Sequence, residues 1–321
     1  TASVSPLGSD SVTLGGTGIA NFADKNVGTH KTVTVSGYTL SGADAGNYSL
    51  VQPTGLKANI SKADLALTGL SAGNKVYDAT TVATLTGTAS VSPLGSDSVT
   101  LGGTGTGTFA DKNVGNAKAV TVSGFTLGGT DAGNYNLVQP TGLKANISKA
   151  DLALAGLSAA DKIYDATTTA TLSGTAAVTA LGSDAVSVGG TGAGTFADKN
   201  VGTNKAVTVT GYTLSGTDAG NYNLVQPTGG LKADITPATL TYTANAATSI
   251  YGDAITGLTG TVAGFVNGEN LANATTGTAS FSTAATATSH VGQYAIAGSG
   301  LTANNGNYVF AQNAANTTAL T

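Results

Sequence analysis

Val120-Thr121-Val122-Ser123-Gly124-Phe125-Thr126-Leu127 decides how this chain folds. Its apolar residues alternate with polar ones at a period of two, which places one face of an extended strand inward. The alternation changes parity across Ser123-Gly124, so Phe125 and Leu127 return to the inward face only if an extra residue is accommodated there. That is the signature of a β-bulge at a glycine. The same slip occurs at Val33, Val35, Tyr38 and Leu40 and at Val207, Val209, Tyr212 and Leu214. Leu65, Leu67 and Leu70, then Val82 to Leu85 and Val99 to Leu101, mark further short strands. No i, i+3, i+4 apolar stripe continues beyond a turn, and Gly, Thr and Val are poor helix formers, so an all-β chain is expected.

The bulged strand recurs because the whole chain recurs, with a period of 87 residues. Residues 1–62 match residues 88–149 at 52 of 62 positions, and Phe109-Ala110-Asp111-Lys112-Asn113-Val114-Gly115 returns at Phe196 to Gly202. The period divides the chain into a partial module at 1–62 that lacks its front strands, complete modules at 63–149 and 150–236, and a diverged module at 237–321. Residues 1–62 read as the tail of a unit whose opening strands lie upstream. The third module carries an extra glycine at Gly229-Gly230, which puts the register of its last strand in question. Modules follow one another through segments as short as Ile60-Ser61-Lys62-Ala63, with no Gly/Ser spacer to let them tumble independently.

Short strands punctuated by turns in a unit of this length predict an immunoglobulin-like antiparallel β-sandwich, repeated in tandem as an elongated rod. Asp131-Ala132-Gly133-Asn134-Tyr135-Asn136-Leu137 has the spacing of a tyrosine corner, in which a Tyr at the start of a strand hydrogen-bonds back across the corner. Its copies make Tyr48, Tyr135, Tyr222 and Tyr308 the structural residues to follow. Phe22, Phe109 and Phe196 are expected in the cores.

Composition narrows the function. The chain has no Cys, Met or Trp, only 9% charged residues and a net charge of −4. Without a basic stripe, nucleic acid is not an expected partner. No apolar run approaches the roughly 20 residues of a membrane-spanning helix. Absence of thiols suits a protein exported unfolded, which cannot then mispair disulfides. His30 and His290 are the only histidines and neither recurs in other modules, so no Ser-His or Cys-His nucleophile is built and no enzyme activity is expected. No cofactor is expected; calcium is the one candidate, with Asp111, Asn113, Asp131 and Asn134 as its oxygen donors, although no D-x-D-x-D-G loop exists. Turn capping by Asp and Asn competes with that reading.

At Lys75-Val76-Tyr77-Asp78-Ala79-Thr80, Lys162-Ile163-Tyr164-Asp165-Ala166-Thr167, F-A-D-K-N-V-G and D-A-G-N-Y-N-L, the sequence resembles the YDG repeat domains of large bacterial secreted adhesins of the filamentous-haemagglutinin type. The fourth module, with Ile250-Tyr251-Gly252-Asp253 and Gly306-Asn307-Tyr308, resembles the MBG domains that follow them. The resemblance implies an extracellular or cell-surface stalk that spaces or assembles, and it carries over no catalytic residue. Neighbouring modules or identical chains are the expected partners, with a host or neighbouring-cell surface as a further candidate. Two alternatives stand beside the stalk: a self-assembling filament that exchanges edge strands, and a ligand-binding adhesin that uses the terminal module.

Overall fold

The computed structural model describes residues 2–227 and 230–321, and among them the chain is all-β except for one short α-helix, Leu271–Ala274, and single turns of 3-10 helix. It divides into two compact units, residues 1–148 and residues 149–321. Each unit holds two of the sequence modules.

In residues 63–148 a five-stranded sheet runs in the order Lys75–Val76, Lys144–Ser148, Gly115–Gly128, Thr100–Phe109, Val82–Ala83. Two smaller sheets accompany it: Thr68–Ala72 with Leu85–Ser90, and Ala63–Ala66 with Tyr135–Val138. The third module repeats this arrangement strand for strand. The expectation of a purely antiparallel module is corrected here. Ala63–Ala66 runs parallel to Tyr135–Val138, and Lys75–Val76 runs parallel to Lys144–Ser148. The first strand of a module and the strand behind the corner tyrosine leave the same end, so their pairing is parallel and needs the whole module as its connection.

The bulge read from the sequence lies between Ser123 and Phe125, where Gly124 has φ +88°. A Cβ on Gly124 would lie 2.3 Å from the carbonyl oxygen of Thr104, so the backbone of the paired strand approaches too closely for any side chain. The bulge returns in the first and third modules and, between Gly277 and Ser280, in the fourth. Behind it Val120, Val122 and Phe109 are buried, as are Val207, Val209 and Phe196. The partner strand alternates in the same way: Ala145 and Ile147 are buried and Lys144 is exposed. In the third module Gly230 leaves the register unchanged, since Lys232 pairs with Ala206 as Lys144 pairs with Ala119. Gly229 lies outside the described residues.

The first module departs from the expected core. Residues 1–62 supply three strands, Thr13–Phe22, Gly28–Ser41 and Lys57–Ile60, and none of the small sheets. Phe22 is therefore 38% exposed where Phe109 is 1% exposed, a correction to its expected burial. Tyr48-Ser49-Leu50-Val51, with no parallel partner, forms no strand, whereas the same segment is a strand in the second and third modules.

Residues 237–321 keep the plan with different residues. Ala238–Ala244 pairs parallel with Tyr308–Gln312 and antiparallel with Gly260–Ala263, and Thr275–Ser282 forms a hairpin with Ala297–Ala303. One buried cluster joins Tyr164, Phe196, Val207 and Ile235 of the third module to Ala238, Leu240 and Tyr308 of the fourth.

Candidate functional site

The chemistry-bearing residues of this chain meet where one module abuts the next. At the second module, a turn of 3-10 helix, Ala132–Asn134, sets Asn134 and Tyr135 at the head of the strand Tyr135–Val138. The Tyr135 hydroxyl donates to Asp97 Oδ2 at 2.7 Å and accepts the Leu94 N–H at 3.0 Å. Asp131 Oδ2 accepts the Ser98 N–H at 2.8 Å. Each bond reaches back across the module, over 33 to 41 residues, rather than over the few residues of an immunoglobulin corner. Tyr48 and Tyr222 stand in the same frame, donating to Asp10 and Asp184.

Onto this corner the Asp-Lys-Asn-Val-Gly loop of the first module descends. Lys25 forms ion pairs with Asp97 and, at 3.0 Å, with Asp131. The Val27 N–H donates to Asn134 Oδ1 at 2.9 Å, and Asn134 Nδ2 donates to Asn26 Oδ1 at 3.2 Å. The two carboxylates and the Asn are already held by their own module, so the lysine meets a preformed acceptor.

The joint between the third and fourth modules keeps this plan with different residues, Asn304 standing where Asp131 gives the first joint its second carboxylate. Glu269 takes the place of the aspartate: its Oε1 accepts from Lys199 Nζ at 2.6 Å and from the Tyr164 hydroxyl at 2.8 Å, and its Oε2 accepts from the Tyr308 hydroxyl at 2.7 Å. The Val201 N–H donates to Asn307 Oδ1 at 2.9 Å, and Asn307 Nδ2 donates to Asn200 at 3.0 Å. Tyr164 and Tyr308 meet edge to face at 5.4 Å, and Lys199 lies over the Tyr164 ring. Asn270 caps the short helix through the Ala272 N–H, which steadies the backbone beside Glu269.

Electrostatics at the joints follow from these contacts. Lys25 and the Tyr135 hydroxyl hold the Asp97 carboxyl below its ordinary range, and the Ser98 N–H with Lys25 does the same for Asp131. Burial alone would raise Glu269, but its bonds to Lys199, Tyr308 and Tyr164 outweigh it and the carboxyl titrates low. Burial, together with the bond to Glu269, pushes the Tyr308 phenol up to about 12.

The four calcium candidates have partners within the protein. Asp111 accepts from Lys118 Nζ at 2.5 Å and from the Asn113 N–H, Asp131 faces Lys25, and Asn134 is engaged by Asn26 and Val27. Asp111 and Asp131 thus each face a lysine ammonium group. Among the described residues no group of three or more His, Cys, Asp or Glu could hold a metal. His30 is exposed at the register shift near the start of the strand Gly28–Ser41, not in a loop, at φ +53°, a conformation kept by Ala117 and Asn204 in its copies. Lys25, Lys199 and Glu269 stand outside the site residues expected from the sequence. The signal was there: a lysine repeated inside a turn that turn chemistry does not require.

Residues 1–55, 61–142 and 148–229 each match the YDG domain, and residues 240–318 match the MBG domain of YGX type. The chain belongs to the YDG domain family, carrying three such domains followed by an MBG domain. Such domains are associated with surface or adhesin-like repeat proteins. No curated protein and no solved structure matches it. No helix among the described residues is long and apolar enough to cross a membrane.

Proposed function

We propose that this chain is a non-catalytic spacer, a stalk segment of an extracellular bacterial adhesin or surface fibre. The observation that carries the reading is the joint. In both units the Lys-Asn-Val-Gly loop of one module grips the Gly-Asn-Tyr corner of the next through an ion pair and an amide bond, the lysine landing on the carboxylate that the corner tyrosine holds. A spacer needs such contacts because covalent continuity by itself leaves modules free to pivot. The immunoglobulin-like reading of the modules belongs to the same proposal, supported by the bulged hairpin that recurs in every copy.

The test is a replacement in the full-length surface protein. Exchanging residues 1–321 for unrelated β-modules of equal length should preserve adhesion, and shortening by one 87-residue module should weaken it at a fixed receptor distance. Adhesion lost on equal-length exchange would instead place ligand recognition within this chain.

A further inference from the structure

The complete YDG module has a feature that spacing alone does not require: its first and last stretches lie side by side and run the same way. In the second module Ala63–Ala66 pairs parallel with Tyr135–Val138, and Lys75–Val76 pairs parallel with Ile147 and Ser148 at the end of Lys144–Ser148. Both ladders have an offset of 72 residues, and the Asn146 N–H donates to Asn74 Oδ1 at that same offset, at 2.7 Å. A constant offset keeps residues 63–77 and 135–148 in step from one end to the other. Between the ladders Thr68–Ala72 turns to a different partner, Leu85–Ser90.

Each ladder is closed by a further bond. The Leu67 N–H donates to the Val138 carbonyl at 2.9 Å, and the Tyr77 N–H donates to the Ser148 carbonyl at 2.8 Å. Leu65, Leu67 and Tyr77 on one run are buried, as are Tyr135, Ala145 and Ile147 on the other. Sliding one run past the other would draw these side chains out of the core.

The third module repeats the pairing, Ala150–Ala153 with Tyr222–Val225 and Lys162–Ile163 with the end of Leu231–Thr236, closed by the Leu154 and Tyr164 N–H groups. Pro237 alone then separates Leu231–Thr236 from Ala238–Ala244, which pairs parallel with Tyr308–Gln312. The exit strand of one module thus leads directly into the entry strand of the next.

The chain enters the second module at Ala63, beside Tyr135, and leaves it at Ser148, beside Val76. These points lie at opposite ends of the paired runs, on the order of 40 Å apart at the rise of a parallel strand. Tension along the chain therefore draws residues 63–77 backward and residues 135–148 forward. The ladder bonds run between the strands, across that direction, so the pull loads them together instead of one at a time. A hairpin such as Thr100–Phe109 with Gly115–Gly128 would open bond by bond if pulled at its ends, but the parallel ladders hold the load before it reaches there.

We propose that the parallel pairing of residues 63–77 with 135–148, and of 150–164 with 222–225 and 231–236, is a shear clamp through which each complete YDG module bears tension as well as setting distance. The load-bearing role in an adhesin rests on the spacer reading; the clamp itself rests on the register of the strands.

The chain has no cysteine, so introduced pairs can fix the direction of pull in optical tweezers, with DNA handles attached through the thiols of the full 321-residue chain. Ser61→Cys with Lys149→Cys pulls the second module in shear. Ser61→Cys with Gly133→Cys pulls the same ladder apart from one end. All three positions are exposed, and a Cβ on Gly133 meets nothing within 4 Å. Opening should release roughly 250 Å of chain in either direction. Forced opening reads the unfolding barrier, and the shear pair should need several times the force of the unzipping pair at the same pulling rate. Asn74→Ala should lower the shear force and leave the unzipping force as it was, because peeling starts at Ala63 and reaches residue 74 last. Equal forces in the two directions, or a shear force that Asn74→Ala leaves unchanged, overturn the proposal. Neither result alters whether equal-length exchange preserves adhesion, so failure of the clamp is separate from failure of the spacer reading.

Discussion

A single hydroxyl group anchors each corner. Tyr135 is 4% exposed, and its hydroxyl both donates to Asp97 and accepts from Leu94, so its removal strands two partners. Tyr135→Phe should lower stability by about 1 kcal/mol or more, read from urea unfolding of the chain. An unchanged midpoint would remove the corner from the account. Ala79 and Ala166 pose the opposite case. Both sit at positive φ, +63° and +61°, inside the Tyr-Asp-Ala-Thr turn, where Lys75 and Lys162 each reach the turn's aspartate at 2.7 Å. A Cβ in that conformation costs roughly 1 kcal/mol, which glycine avoids while gaining some unfolded-state entropy. Ala166→Gly should therefore raise the urea midpoint by a net of about 0.5 kcal/mol. The tyrosine was legible in the sequence because its spacing recurs. The left-handed alanine was not, since alanine advertises no special backbone.

Among the strands, the bulge outranks local propensity. Gly124→Ala would drive a Cβ into the Thr104 carbonyl at φ +88°, and the hairpin would have to give up either the bulge or the inward placement of Phe125 and Leu127. A loss of about 2 kcal/mol or more is expected, with amide exchange accelerating first along Thr100–Phe109. This feature was readable from the parity slip at Ser123-Gly124. The strand behind the corner was not readable in that way. Tyr135–Val138 is extended because Ala63–Ala66 lies parallel beside it, and the near-identical segment at Tyr48 forms no strand. A sequence of four residues cannot announce a partner 72 positions away.

Across whole units, stability should depend on pH at both ends. Asp97, Asp131 and Glu269 titrate below their ordinary values when folded, so the stability they contribute is complete above the ordinary carboxylate range near pH 4. It is lost as pH falls through their depressed folded values. Tyr308 behaves in the reverse sense: raised from 10 to about 12, it contributes fully below pH 10 and loses that contribution between there and about pH 12. Calorimetry against pH should show both limbs in both units, since Tyr48 and Tyr135 are raised by their aspartates as Tyr308 is by burial and Glu269. Glu269→Gln should flatten the acid limb of that unit. A double-mutant cycle of Lys199→Ala with Glu269→Gln should return a coupling of about 1 kcal/mol, modest because the lysine is partly solvated. A coupling near zero would remove the ion pair from the account and leave the joint to its amide bonds and buried cluster.

The amino-acid sequence by itself determined the all-β class, the 87-residue modularity, the bulged hairpin and the identity of the four tyrosines, because periodicity and turn chemistry are local and this chain repeats them. Only the tertiary structure decided what those tyrosines and the Lys-Asn-Val-Gly loops are for. The joint pairs Lys25 with Asp97 and Asp131, and Lys199 with Glu269, across separations of 70 residues or more. Their attraction exists only once two folded corners bring the charges within a few ångströms, and no local pattern in either loop encodes that distance.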